Sequence, residues 1–466
     1  MQRKLYFVAI VLICTMLVPI LFGCNASENL PTEQPTETQL NTQKATEDKK
    51  PTESQTNKPT ETSKETERIE YGELTEEKPV NNAVDLIGDL DVTEYDLEKF
   101  IYPSWAEDVS FAEACFVREN ASGKVSPIQL LYPIVEIVSV RSADLKTLYV
   151  EGKDYIVNAN GELEIPEGSS IPVLAYKDYH FPDYVSDNLA TKFPSADDSG
   201  WGYIRSEIGA NKPGMSEWTI AVTYKHTSDD VLTVPADKSV RFAKLIEKLE
   251  AGKNIKVVSM GDSITYGWSS SGLESVNIAP YCPSYNKMVC QYIESAYGVD
   301  VEHVNIAVSG SSSGSGDKNG LGRVDSACKM SPDLVIVAYG MNDGCYMPTS
   351  TYISNINSIV KTIEKKCPNA CVVVVGTCLP NSQVGYNPGV SLLKYHLEYA
   401  EALEQADVEV WNHAAFADVT TLHVDVLSRK AYQDTSGSNS NHPNDYMHRL
   451  YAQVVLQTIF GRYVSE

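Results

Sequence analysis

Basic side chains are scarce in this chain, which has 38 Lys and Arg against 62 Asp and Glu and a formal net charge of −24 at pH 7. Because binding to nucleic acid phosphates needs a basic surface, this balance argues against nucleic acid as a partner. None of the ten cysteines pairs with another at the spacing of a metal site. We therefore expect no metal and no organic cofactor. We also expect a monomer.

Large apolar side chains are almost missing from residues 25–79. Pro-Thr-Glu steps recur there, beginning at Pro31, Pro35, Pro51 and Pro59. Such a segment cannot bury enough apolar surface to recover the entropy of ordering. Proline and like charges keep it extended, so we predict a disordered stalk.

A long apolar stretch, residues 5–22, stands near the beginning of the chain, after Arg3 and Lys4 and shortly before Cys24. A basic start, a short apolar core and a small residue at the boundary are typical of a secretory signal. The Leu-Phe-Gly-Cys tetrad resembles a bacterial lipobox, in which the cysteine carries lipid. We predict a lipoprotein signal peptide over residues 1–24 and a protein anchored through Cys24 to the extracellular face of the bacterial cell membrane. A transmembrane anchor and a cleaved secretion signal are the alternatives.

Residues 80–239 differ from the preceding segment in composition and in hydrophobic pattern. Apolar and polar residues alternate with period two in residues 134–140, 147–150 and 218–224, and turn formers such as Asn160-Gly161 separate the runs. Short strands broken in this way predict a β-sandwich accessory domain. Its frequent Tyr and Trp side chains either stack on sugar rings or serve as core and sheet edge.

Strands and helices alternate after residue 239. Among the later segments, residues 353–366 and 391–405 have the pattern of helices, and residues 370–376 and 408–412 that of strands. Repeated strand-helix order favours a parallel sheet with helices on both faces. We therefore predict a separate α/β domain over residues 240–466.

Chemistry-bearing residues follow three apolar runs of that domain. Ser263 comes after residues 255–260, Gly310 after residues 301–308 and Asn342 after residues 333–339. Because the carboxyl ends of parallel strands meet at one edge of a sheet, these residues are expected to lie together, at the edge where such sheets bind ligands. His442 stands in His-Pro-Asn-Asp, just before the last predicted helix. Together they can supply a nucleophile, oxyanion donors and a base.

Four short motifs of this domain resemble those of the SGNH hydrolases, a branch of the GDSL esterase/lipase superfamily. They are Gly-Asp-Ser, Asn-Ile-Ala-Val-Ser-Gly, Gly-Met-Asn-Asp and His-Pro-Asn-Asp. The resemblance covers roughly residue 255 to the C-terminus and implies a flavodoxin-like three-layer fold. It implies that Ser263 is the nucleophile and His442 the general base. It also implies that the N–H groups of Ser263 and Gly310 and the side-chain amide of Asn342 form the oxyanion hole.

One position departs from the family pattern. The family usually has an aspartate three residues before the histidine, where this chain has Asn439. A carboxylate there holds the imidazole tautomer and stabilises the imidazolium. Three interpretations remain open: a Ser-His dyad steadied by a neutral amide or a backbone carbonyl, an acid displaced to Asp434 or Asp445, or a weakened or inactive enzyme.

The resemblance extends to bimodular carbohydrate acetylesterases of this superfamily, some of which lack the acid. It implies a cell-surface serine esterase that removes O-acetyl groups from a polysaccharide through an acyl-enzyme intermediate. Tyr266 and Trp268, just after the nucleophile, either line a sugar subsite or pack at the rim. The alternatives are a lipase or thioesterase of the same superfamily and a non-catalytic, glycan-binding surface lipoprotein.

Overall fold

The computed structural model describes residues 88–180, 190–196, 202–210, 212–227, 229–387 and 389–461. The predicted signal peptide with Cys24 and the predicted stalk lie outside the described residues. Residues 77–466 group into one compact unit. Among the described residues, none of the helices has both the length and the apolar character needed to cross a bilayer.

The centre of the fold is a five-stranded sheet, in which every paired strand is parallel to its neighbour. Its strands are β8 (Ile255–Gly261), β9 (Val301–Asn305), β10 (Leu334–Ala338), β11 (Cys371–Val375) and β14 (Ala414–Ala417). Between the last two, β12 (Gly385–Asn387) and β13 (Val390–Ser391) form a separate antiparallel pair. The strands of the parallel sheet lie in the order β14-β11-β10-β8-β9. Numbered within the domain this is 2-1-3-4-5, the flavodoxin-like order, and its switch point lies between β8 and β10.

Helices cover both faces of the sheet. Successive side chains along a strand point alternately into two separate cores, one on each face of the sheet. Val257 lies in the first core and Val258 in the second. The first core includes α3 (Ala243–Glu250), α5 (Tyr285–Tyr297), α9 (Val419–Leu427) and α10 (Asp445–Phe460). The second includes α6 (Gly320–Lys329), α7 (Thr349–Lys366) and α8 (His396–Glu409). The predicted three-layer α/β architecture is confirmed.

The preceding part of the chain is mainly antiparallel. Strands β1 (Val109–Phe116), β2 (Glu136–Ser142) and β7 (Thr219–Lys225) form a sheet in the order β1-β7-β2. Two hairpins pair β3 (Ile156–Val157) with β4 (Leu163–Glu164) and β5 (Ala190–Pro194) with β6 (Gly202–Ser206). The short helices are α1 (Leu97–Ile101) and α2 (Tyr176–His180). A second sheet facing the three-stranded one is not found among the described residues, so the β-sandwich and its boundary at residue 239 stay predictions.

This antiparallel part packs directly on the last helix. The Arg449 guanidinium of α10 donates to the carbonyls of Phe111 and Ala112 at 2.7 and 3.0 Å. One continuous apolar core holds side chains of β1, β7 and α10. The position of the antiparallel part relative to the end of the parallel sheet is therefore fixed by buried contacts.

The prediction of a strand at residues 408–412 was wrong. Helix α8 runs on to Glu409, and Val408 on it is exposed. The strand is β14, whose sequence Ala-Ala-Phe-Ala has little strand propensity but is wholly buried beside β11. Burial and pairing decided the strand here, because strand propensity depends strongly on context.

Candidate active site

Ser263 lies at the tip of β8, as the first residue of the one-turn helix α4 (Ser263–Tyr266). Asp262 caps this turn, since its Oδ1 accepts from the N–H of Ile264 at 2.9 Å. Gly261 is needed before it, because a Cβ there would stand 2.5 Å from the carbonyl oxygen of Ala338 on β10. The hydroxyl is thus held at the switch point of the sheet, and Ser263 is 5% exposed.

His442 reaches the serine from 179 residues further along the chain. Its Nε2 lies 3.0 Å from the Oγ of Ser263. The loop that carries it is held by the N–H of Gly437, which donates to the His442 carbonyl at 2.9 Å. Just beyond, Asn444 caps α10 by accepting from the N–H of Met447 at 3.0 Å. A hydroxyl and a base are therefore within proton-transfer distance.

A carboxylate occupies the other side of the imidazole. Oε1 of Glu207 lies 3.1 Å from Nδ1 of His442, and the two side chains are 10% and 11% exposed. Because a carboxylate accepts hydrogen bonds, this pairing favours the tautomer with the proton on Nδ1, in which the lone pair of Nε2 faces the hydroxyl of Ser263. Serine, histidine and acid therefore form a continuous hydrogen-bonded line.

The sequence-based candidates for this acid do not contact the imidazole. Asn439 directs its Nδ2 to the carbonyl of Ile204 at 2.9 Å. Asp434 accepts from the N–H of Phe116 at 2.6 Å, and Asp445 accepts from the N–H of Ser271 at 2.8 Å. The candidates Asn439, Asp434 and Asp445 are corrected to Glu207, whose carboxylate is the one that lies against the imidazole. The distance along the chain, 235 residues, is the reason that spacing did not reveal it.

Gly310 and Asn342 follow β9 and β10, and hydrogen bonds through Ser311 link Asn342 to Gly261, at the end of β8. The Asn342 amide donates from Nδ2 to the carbonyl of Ser311 at 2.8 Å, and the Ser311 hydroxyl donates to the carbonyl of Gly261 at 2.9 Å. Gly310 has φ +72°, and a Cβ there would meet no atom within 4 Å, so its backbone conformation rather than crowding favours glycine. The second N–H of the Asn342 amide remains for a ligand.

The three strand tips lie within a part of the chain that matches a known family. Residues 259–450 match the GDSL-like Lipase/Acylhydrolase family. This part of the chain is similar to GDSL-like hydrolase domains.

Several solved structures are similar to the chain. One is a two-domain esterase (CEX) active on acetylated mannans, co-crystallised with mannopentaose; the identity is 18%, the TM-score is 0.37, and the match covers 50% of this chain and 56% of that one. The chain thus spans just over half of that esterase. A second is an Axe2 mutant, an acetyl-xylooligosaccharide esterase from Geobacillus Stearmophilus, at 19% identity, TM-score 0.36, and 46% and 97% coverage. Likenesses at this level decide neither activity nor substrate. No curated protein matches the chain.

Two buried aspartates, Asp262 and Asp343, lie just after β8 and β10. Burial raises the pKa of Asp262 to about 7, and the nearby Asp343 carboxylate adds to the rise. Burial also raises the pKa of Asp343, whose Oδ1 accepts from the N–H of Ser313 at 2.9 Å. Neither carboxylate contacts the imidazole, so their role is to hold the turns that follow β8 and β10.

Tyr266 and Trp268 lie at the rim of the site. The ring of Tyr266 is 45% exposed. The indole of Trp268 is half-buried, and its N–H donates to the Ser309 hydroxyl at 2.6 Å. Trp268 is therefore tied to the loop that carries Gly310, while Tyr266 faces solvent.

The described residues were also compared with the requirements of a metal site. Across the described residues, no group of three or more His, Cys, Asp or Glu side chains is placed to bind a metal ion. The site as described consists of side chains and backbone N–H groups, a set suited to acyl transfer.

Proposed function

We propose that this protein is a serine esterase that removes O-acetyl groups from a polysaccharide through an acyl-enzyme intermediate. The observation that carries the proposal is the 3.0 Å contact between Oγ of Ser263 and Nε2 of His442 at the tip of β8. A nucleophile beside a base at that edge of the sheet, with donors from neighbouring strand tips, is the arrangement that acyl transfer requires.

In this mechanism Nε2 of His442 takes the hydroxyl proton as Oγ of Ser263 bonds to the ester carbonyl carbon. The oxyanion that forms is held by the N–H groups of Ser263 and Gly310 and by the Asn342 amide. The imidazolium returns the proton to the departing sugar oxygen, which leaves an acyl-enzyme. His442 then takes a proton from a water molecule as its oxygen attacks the acyl carbon, and it gives this proton to Oγ of Ser263 as the acyl bond breaks, which releases acetic acid and the free serine.

Acetyl is the proposed acyl group because the sequence between the four motifs of the site contains no long apolar segment that could form a lid over a longer acyl chain. The exposed Tyr266 and the half-buried Trp268 offer aromatic faces next to the nucleophile, and such faces pack well on the apolar face of a sugar ring. Both features favour a sugar ester over a long-chain lipid ester.

The test begins with aryl esters of increasing acyl length, hydrolysed by wild type and by Ser263→Ala. The proposal predicts that wild type prefers acetate and that Ser263→Ala loses at least ~10³-fold in kcat. Activity that rises with acyl length would favour a lipase or thioesterase. The absence of any Ser263-dependent turnover would favour the glycan-binding alternative. Acetate release from xylan, mannan, pectin and peptidoglycan then identifies the polymer.

Attachment to the outer face of the cell membrane through Cys24 is part of the proposal and rests on the Leu-Phe-Gly-Cys tetrad. Labelling of the expressed full chain with a radioactive fatty acid tests it, with Cys24→Ala as the control. Label that persists in Cys24→Ala would exclude lipidation at this residue.

A further inference from the structure

We infer that Glu207 is the positioning residue of His442, and that the hairpin segment bearing it, residues 202–207, is a required part of the active site. The inference rests on the proposed function. Glu207 lies outside residues 259–450, which carry the family match. The acid of this site therefore comes from the antiparallel part of the chain.

The contact between the two side chains is shielded. Oε1 of Glu207 meets Nδ1 of His442 at 3.1 Å, and each side chain is about nine-tenths buried. A charge-assisted hydrogen bond at a site largely shielded from water orients the ring more firmly than an exposed one. When the imidazole gains the serine proton, the carboxylate also stabilises the positive charge that appears.

The backbone of Glu207 is held from one side by Gly214. A Cβ at position 214 would stand 2.4 Å from the backbone carbon of Glu207 and from the nitrogen of Ile208. Gly214 has φ +60° and begins the 3-10 turn Gly214–Trp218. The close approach and the left-handed backbone both favour glycine there, and together they fix where the carboxylate is delivered.

The strand that leads to Glu207 is held by Asn439. Nδ2 of this buried asparagine donates to the carbonyl of Ile204 on β6 at 2.9 Å. Its Oδ1 accepts from Nδ2 of Asn381 and from Nε2 of Gln433, each at 3.0 Å. An ionised aspartate could accept from the same two amides but could not donate to Ile204. The amide therefore suits the support of β6, and a carboxylate does not.

Relative to the family pattern, the orienting of the imidazole has thus moved from position 439 to position 207. The residue three before the histidine no longer orients the ring but anchors the strand that delivers the orienting carboxylate. Asn439 has φ +59°, a conformation that asparagine tolerates better than most residues, and its relative exposure is 0%. The missing aspartate is therefore not a sign of a defective site.

The experiment measures kcat and KM of the full chain on an aryl acetate for wild type, Glu207→Gln and Glu217→Gln. The exposed Glu217 lies in the adjacent turn and provides the matched control. Because the wrong tautomer becomes accessible, Glu207→Gln is expected to lose about 10³- to 10⁴-fold in kcat with KM nearly unchanged. Glu217→Gln is expected to match wild type. A Glu207→Gln kcat within threefold of wild type would overturn the inference.

The tautomer of His442 provides a second readout, which is measured on the wild-type protein. Nitrogen-15 NMR of histidine-labelled wild type, with the signal assigned through His442→Gln, is expected to show the proton on Nδ1 in a strongly downfield hydrogen bond. A proton on Nε2 instead would contradict the role of Glu207. If wild type itself shows no Ser263-dependent turnover, the proposed function fails; active wild type with an unaffected Glu207→Gln defeats only this inference.

The variant Asn439→Asp tests whether Asn439 anchors β6 through its hydrogen bond to the carbonyl of Ile204. The variant is expected to lose activity, because it cannot donate to Ile204, and the double variant Glu207→Gln/Asn439→Asp is expected to remain as slow as Glu207→Gln. Wild-type kcat in the double variant would show that residue 439 still reaches the imidazole, and would refute the anchoring role.

Discussion

The ring of Trp268 lies nearly parallel to the ring of His442, with 14° between the planes and 6.0 Å between the centroids. The same indole donates to the Ser309 hydroxyl, next to Gly310. One side chain thus contacts the base of the proposed mechanism and the loop of the proposed oxyanion hole.

Trp268→Ala is expected to lower kcat on an aryl acetate by about tenfold, since aromatic stacking contributes up to ~1.5 kcal/mol. Trp268→Phe, which keeps a ring and loses the N–H donor, is expected to be less affected. Trp411→Phe is the matched control, because Trp411 donates to Asn357 and precedes β14, at the opposite edge of the sheet. A wild-type kcat in Trp268→Ala would show that Trp268 does not contribute to catalysis.

Asn342→Ala removes the proposed side-chain donor to the oxyanion. The loss of one such donor costs about 10²- to 10³-fold in kcat, with little change in KM, because the charge appears only in the transition state. Steady-state kinetics on an aryl acetate measure both values. Asn160→Ala, in an exposed turn, is the control. A change confined to KM would point to substrate binding instead.

Gly261→Ala is expected to destabilise the protein by about 1–3 kcal/mol, the usual cost of overpacking. The added methyl group would press on the Ala338 carbonyl of β10 and on the Thr265 hydroxyl. Gly314→Ala, whose methyl group would meet only ordinary contacts, is the control. Thermal unfolding measures both, and equal midpoints for the two variants would contradict the packing described at the switch point.

Asp262→Asn is expected to change how stability depends on pH. The pKa of Asp262 is raised from 3.8 to about 7, so ionising this group in the folded protein costs free energy. The stability that the neutral carboxyl provides is present below about pH 4 and is lost as the pH rises through about 7. Relative to the variant, wild type should therefore lose unfolding free energy across this range. Urea unfolding at several pH values measures it, and a pH-independent difference would contradict the burial effect.

The parallel sheet and its strand tips were predictable because their signals are local. Short runs rich in Val, Ile and other apolar residues before Ser263, Gly310 and Asn342 indicated the strands, and topology then brings their ends together. The strand Ala414–Ala417 was missed because its residues resemble a helix until burial is known.

Glu207 was missed for a different reason. It follows a hairpin strand outside the resembling region, and no periodicity or spacing links it to His442. The one available signal was negative: Asn439 stands where a carboxylate was expected, which indicated that the acid lay elsewhere or was lost. The relationship between positions 439 and 207 is visible only in the structure, where Asn439 donates to the carbonyl of Ile204 on the strand that leads to Glu207.

The most direct test of the central claim is to treat the full chain with a fluorophosphonate ester and to map the adduct by mass spectrometry. The account predicts one adduct, on the Ser263 hydroxyl, and its loss in Ser263→Ala and His442→Ala. Folded wild type that remains unlabelled, or that is labelled equally well in Ser263→Ala, would contradict it.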